Sequence, residues 1–221
     1  MSNAPRRFDL LIFDWDGTLM DSAGVIVDSI QRACEDIGLA VPSDRASRQI
    51  IGLGLNQALQ TLLPDLPAAD YPRLVERYRH HYLGRDDDIP LFEGVAQAIP
   101  DLKASGFQLA VATGKSRLGL ERALASSGLG EWFAATRCAD QTHSKPHPAM
   151  VLELIEELGV DPARTLVIGD TSHDLLMASN AGVASLGVTY GAHEPDDLHP
   201  HAPLALMNSF DEVYAWLNAN A

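Results

Sequence analysis

Apolar runs alternating with amphipathic stretches predict an α/β fold, a doubly wound parallel sheet with a Rossmann-like core that carries an inserted helical unit. Three observations lead there. Phe8 to Trp15 (FDLLIFDW) is a near-continuous apolar run ending in acids and Gly17, the pattern of a parallel strand buried on both faces. Gln108 to Thr113 (QLAVAT) and Thr165 to Gly169 (TLVIG) repeat it, each followed by polar residues and then a helical period. Between the first two of these strands lie about 65 residues with helical periods and no strand run, far longer than an ordinary crossover.

The elements follow in order. After the first strand, Val25, Ile26, Ile30, Ala33, Cys34 and Ile37 line one helical face, and helical periods recur over Ile50 to Leu63 and Tyr71 to Leu83. Pro42, Pro64, Pro67 and Pro72 punctuate them. Residues 22–88 therefore read as a helical cap hinged at both ends, a lid over the first strand's carboxyl end, and residues 1–21 and 89–221 as the α/β core. In the core, helices are expected over Gly94 to Ser105, Arg117 to Ser127, Pro148 to Leu158, Ser172 to Ala181 and Phe210 to Asn218. Pro100 blurs a boundary of the first. Ala184 to Val188 and Leu204 to Met207 are shorter strand candidates.

With 221 residues, the chain can bury roughly 70% of its unfolded surface and needs no disulfide or metal staple. Sixteen basic and 30 acidic side chains leave a net charge of −14, which argues against nucleic-acid or anionic-membrane partners. A small anionic substrate in a local pocket remains compatible. Cys34 and Cys138 lack CxxC spacing and read as reduced thiols. The polar start, Met1 to Arg7, fits no signal peptide, and no apolar stretch approaches the ~20 residues of a membrane span, so a cytoplasmic protein is expected.

At the end of the first strand stands Asp14-Trp15-Asp16-Gly17-Thr18-Leu19, followed by Asp21-Ser22. Carboxylates at i and i+2 on a strand point to one face. Here they leave the sheet where open α/β sheets bind ligands. Such close like charges need a cation or a shared proton; a plain turn with Gly17 at positive φ is the alternative. The second strand ends Thr113-Gly114-Lys115, a hydroxyl and exposed amides suited to phosphate oxygens, though Thr113 could simply cap a helix. The third ends Gly169-Asp170-Thr171-Ser172-His173-Asp174, where Asp170 and Asp174 can share a face at a helix start. Before it comes Ser144-Lys145-Pro146. Lysine occurs only at positions 103, 115 and 145, so one held beside a proline is a candidate functional charge.

These four elements, in this order and spacing, resemble the motifs of the haloacid dehalogenase superfamily, from about Phe8 to Leu217. The helical insert resembles the C1-type cap of its phosphoglycolate phosphatase and β-phosphoglucomutase group. Trp15 stands where leucine or phenylalanine is commoner. The resemblance implies that Asp14 is a nucleophile that becomes an aspartyl phosphate, and that Asp16 is the general acid and then the base for water. It further implies Mg²⁺ held by Asp14, the Asp16 carbonyl and Asp170. Asp174 would support the metal site or Lys145, and Thr113, the Gly114 amide and Lys145 would bind the phosphoryl group. A carboxylate, already ionised at neutral pH, needs no base to act as a nucleophile.

Other motifs fail. Gly106 to Gly114-Lys115-Ser116 has the wrong spacing for a phosphate loop, and Gly52-Leu53-Gly54 lacks a dinucleotide fingerprint's third glycine. Within the family, Asp16 argues against a dehalogenase, and no lysine precedes Lys103 to form the Schiff base of a phosphonate-cleaving relative. Phosphomonoester hydrolysis remains, with 2-phosphoglycolate the leading substrate by resemblance and pyrophosphate or a sugar-phosphate mutase reaction as runners-up. A non-catalytic phospho-receiver would explain neither Asp16 nor the lid. The expected partner is a small phosphorylated substrate, for a monomer or homodimer.

Overall fold

Leu10–Phe13 forms β1, fully buried at the centre of a six-stranded parallel sheet. This computed structural model describes residues 6–221; residues 1–5, within the polar start, lie outside the described residues. The other strands are β2 (Gln108–Thr113), β3 (Ala135–Cys138), β4 (Thr165–Gly169), β5 (Ala184–Val188) and β6 (Leu206–Met207), and the order is β3-β2-β1-β4-β5-β6. The doubly wound parallel sheet is as expected. Strand residues alternate between two cores: Leu10, Ile12, Ala110 and Val167 face one, Leu11, Phe13, Leu109 and Leu166 the other. Helices cover both faces, so the central strands β1, β2 and β4 are apolar on both sides.

Between β1 and β2 the chain forms α1 (Ala23–Asp36), α2 (Asp44–Arg48), α3 (Leu55–Leu62) and α4 (Tyr71–Leu83), with α1 packed along α4. The two ends of this segment run side by side: Asp21 N donates to Pro90 O at 2.9 Å and Phe92 N to Leu19 O at 3.0 Å. The rest of the chain supplies α5 (Val95–Ala104), α6 (Arg117–Ser127), α7 (Ala149–Leu158), α8 (Ser172–Asn180), α9 (Pro195–Leu198) and α10 (Phe210–Asn220). No helix among the described residues is long and apolar enough to cross a membrane.

Several elements differ from the sequence expectation for physical reasons. β1 is shorter than its apolar run because the Trp15 carbonyl accepts from the amides of Thr18, Leu19 and Met20, turning the chain off the sheet. The helix expected over Ile50 to Leu63 begins only at Leu55; Gly52, at φ +95°, belongs to a turn. The short α2 carries no apolar period and is set by its Ser43 cap, which accepts from Ala46 N. β3 reads ATRC, without an apolar run, because it lies at the sheet edge with Arg137 paired to Glu153 and Glu157 at 2.7 Å each. α5 continues through Pro100.

Candidate active site

β1 and β4 are neighbours, and the chain leaving β1 heads toward β2 while that leaving β4 heads toward β5. This reversal of winding opens a crevice at the strands' carboxyl ends. Asp14 and Asp170 stand on its two sides, each directly after its strand. Asp14 N donates to Ile168 O at 2.9 Å, so Asp14 sits in register with the end of β4. Asp174 joins from the first turn of α8, where it forms a capping box: Thr171 N and Thr171 Oγ1 donate to its Oδ2 at 3.1 and 2.7 Å.

Asp14, Asp170 and Asp174 each offer an oxygen within 4.8 Å of the others, and all three are buried. Lys145, from the loop between β3 and α7, is fully buried with Nζ 2.7 Å from Asp14 Oδ1 and 2.6 Å from Asp174 Oδ1. Both are ion contacts outside hydrogen-bond geometry, and Asp14 Oδ2 meets no hydrogen-bond donor at all. Three carboxylates and one ammonium leave a buried charge of −2. Burial pushes the Asp14 carboxyl well above its ordinary range despite Lys145, and the charges of Asp174 and Asp170 add to the rise. Asp170 is pushed up to about 7, by burial first and Asp174 second, although Ala192 N and Thr18 Oγ1 donate to it at 2.7 and 2.9 Å. Burial alone would lower Lys145, yet Asp14 and Asp174 outweigh it and hold the ammonium above its ordinary range.

Glycine is required where this cluster closes. Gly17 adopts φ +81°, and a Cβ there would lie 2.1 Å from Asp170 Oδ2; one on Gly191 would lie 2.3 Å from the same oxygen. A Cβ at either position would fill the cradle around this carboxylate.

A family model for "Haloacid dehalogenase-like hydrolase" matches residues 11–188. The chain belongs to the haloacid dehalogenase-like hydrolases. It is 38% identical over 210 residues to "Probable phosphatase IndB" of Dickeya dadantii, covering 92% of this chain and 91% of that protein. It is 34% identical over 188 residues to a phosphoglycolate phosphatase of Agrobacterium fabrum, covering 82% and 81%. The crystal structure of a predicted phosphoglycolate phosphatase from Haemophilus somnus superposes with a TM-score of 0.86 at 26% identity, covering 96% of this chain and 99% of that one.

In this hydrolase the residues singled out in the sequence do not all converge. Asp14, Asp170, Asp174 and Lys145 form one cluster. The Asp16 side chain turns away from it, accepting from Ser22 Oγ at 2.7 Å and pairing with Lys115 Nζ at 3.0 Å. Lys115 also donates to Tyr82 Oη at 2.7 Å, so α4 closes over the acid. Desolvation would lower Lys115, but the Asp16 charge prevails and raises it. Thr113 is buried at the end of β2, where its Oγ1 accepts from Lys115 N at 3.2 Å. Gly114 lies under the insert: a Cβ would meet the carbonyl oxygens of Gly52 and Leu53 at 2.6 Å each.

The turn 49–54 is fastened to the core. Gly54 N donates to Ser144 Oγ at 2.8 Å, Gln49 Nε2 to Asp197 Oδ2 at 2.7 Å, and His173 Nε2 meets Gln49 O at 2.9 Å. His193 backs the same corner, its Nδ1 accepting from Ser172 N at 3.1 Å; burial lowers its pKa to about 4, with the neighbouring His173 lowering it further. Sequence reasoning missed Lys115, Thr18, Ser22 and Thr171 as site residues. The last three carried a signal, since they sit inside the quoted motifs. Lys115 was quoted at the end of the second strand and is one of three lysines, but nothing local tied it to Asp16.

Proposed function

We propose that this hydrolase cleaves phosphate monoesters through an aspartyl-phosphate on Asp14, using Mg²⁺. The observation that carries the reading is the buried carboxylate of Asp14, with one oxygen beside Lys145 and the other without a donor, at the switch point of the sheet. Asp14 attacks phosphorus, the bond to the leaving oxygen breaks, and Asp16, having taken up a proton from solvent, passes it to the departing alkoxide. Asp16 then takes a proton from the water that attacks the phosphoryl-aspartate, which releases phosphate and restores Asp14. Lys145, Thr113 and the Gly114 amide bind the phosphoryl oxygens, and preorganised donors of this kind supply much of the stabilisation in phosphoryl transfer.

The cluster fits a hard divalent cation. Its donors are oxygens, its charge of −2 matches one Mg²⁺, and Asp14 Oδ2 and Asp174 Oδ1 lack hydrogen-bond donors. Asp14, Asp170 and the Asp16 carbonyl would hold the ion, with Asp174 supporting Lys145. When bound, it offsets the negative charge that nucleophile and phosphate bring together. Residues 22–88 act as a cap that excludes water from the crevice, in keeping with the fastening of turn 49–54 and the Lys115–Tyr82 contact.

The substrate is a small phosphorylated metabolite. The named Agrobacterium relative makes 2-phosphoglycolate the reference ester. The test is Mg²⁺-dependent phosphate release from a panel of monoesters. Asp14→Asn is expected to lose at least a thousandfold in kcat with an unchanged circular dichroism spectrum. Turnover within tenfold of wild type, with deamidation excluded by mass spectrometry, would sink the assignment.

A further inference from the structure

Beside Asp16 lies a cavity whose wall differs from the polar cluster. A space of about 620 Å³ lies between the helical insert and the core, with Asp16 and Gly114 in its wall. About half of the lining residues are aliphatic or aromatic: Ile26 and Ile30 come from α1, Ile51 from the fastened turn, Leu59 from α3, and Tyr78 from α4. Leu118 on α6 and Leu83 at the end of α4 also border it, and they are 60% and 45% exposed, among the few large apolar side chains left open to water. Single exposed leucines need no explanation, but two bordering one cavity beside a buried acid do.

The polar side chains are placed differently. Asn56, Gln57, Arg79 and Arg122 stand exposed among the lining residues, while Asp86, a buried carboxylate, and Asp140 also border the space. The one buried cation of the wall, Lys115, is already held by Asp16 at 3.0 Å and Tyr82 at 2.7 Å. A glycolate leaving group would bring a further carboxylate beside Asp16 and Asp86 and fill little of a space with room for about twenty waters at ~30 Å³ each. Apolar walls with a few convergent polar groups, at this volume, are what a drug-sized organic ligand requires.

We infer that this hydrolase acts on phosphate monoesters of alcohols carrying a bulky apolar or aromatic body, which lies in the cavity between α1, α3, α4 and α6 while the phosphoryl group enters the Asp14 cluster. The inference rests on the phosphomonoesterase reading above and narrows it. The body is buried against Ile26, Ile51, Leu59 and Tyr78, and the leaving oxygen stays beside Asp16. Each apolar group removed from water in the transition state raises kcat/KM.

The test compares primary alkyl phosphates, so that leaving-group acidity is nearly constant: ethyl phosphate, 2-(naphthyl)ethyl phosphate and 2-phosphoglycolate, each with Mg²⁺. The naphthyl ester is expected to exceed both others at least tenfold in kcat/KM, a factor equal to about 1.4 kcal/mol. Leu118→Asp, at an exposed position where folding is not at stake, should bring the naphthyl-to-ethyl ratio toward one. Faster turnover of 2-phosphoglycolate than of the naphthyl ester, or a ratio that Leu118→Asp leaves unchanged, would overturn the inference and leave the phosphatase reading in place. Absence of Asp14-dependent release from every ester would instead overturn the phosphatase reading.

Discussion

Replacing Lys145 with methionine tests the electrostatics of the whole site. Met keeps most of the side-chain length and removes the single positive charge between Asp14 Oδ1 and Asp174 Oδ1, at 2.7 and 2.6 Å, in a position with no exposure. Removing one partner of a buried pair costs about 3–5 kcal/mol, because the remaining charges stay buried without compensation. At about 2–4 °C per kcal/mol for a chain of this size, Tm in EDTA at pH 8 should fall by roughly 6–20 °C. The loss must depend on pH. Asp14 and Asp170 already have folded pKa values raised above the unfolded one, and the variant raises them further. A group with a raised folded pKa contributes its stability fully below the unfolded pKa, near 3.9 for Asp, and loses it as pH climbs through the folded value. The difference between Lys145→Met and wild type is therefore small at pH 4.5 and grows through about 7, the value for Asp170. Thermal unfolding followed by circular dichroism at pH 4.5, 6 and 8 measures it. Adding Asp174→Asn to Lys145→Met should recover part of the loss at pH 8, since one of the stranded charges goes with it. Equal Tm values at pH 8, or a deficit that shrinks as pH rises, would refute the reasoning.

Two other outcomes follow from the same geometry. Millimolar Mg²⁺ should raise the wild-type Tm at pH 8, by about 5–11 °C at a hundred times Kd. The shift should be smaller at pH 5, where protons compete for Asp14 and Asp170, and absent in Asp170→Asn; a differential scanning fluorimetry titration reads all three. Gly114→Ala would drive a methyl to 2.6 Å from the carbonyl oxygens of Gly52 and Leu53, both backbone atoms, so the turn 49–54 must lift or strain by about 1–3 kcal/mol. Hydrogen exchange in residues 49–54 should accelerate and kcat/KM fall; unchanged exchange there would mean that the insert does not rest on Gly114.

The α/β class was legible because its signals are local. A strand buried on both faces must be apolar along its length, so FDLLIFDW, QLAVAT and TLVIG announce themselves. The acids that end two of those strands, and the residues that follow the third, are likewise adjacent in the chain. Asp14 and Asp170 therefore stood out before any fold was known, and Lys145 did so through the scarcity of lysine and the proline after it. β3 escaped because an edge strand needs only a neighbour's hydrogen bonds, and Arg137 within it serves an ion pair. The Ile50 to Leu63 stretch was misread because apolar residues pointing into a cavity wall mimic a helical period.

Sequence alone pointed to the family this chain belongs to, through short motifs whose residues lie close together in the chain. The tertiary structure decided which charges face each other. Lys115 is 99 residues from Asp16 and 33 from Tyr82, and only the packing of α4 over the end of β2 makes them one group. Likewise, no periodicity in α1, α3, α4 or α6 states that their apolar residues share a cavity. Contacts of that range depend on how crossovers and inserts fold back over the sheet, and local patterns record burial without recording the partner.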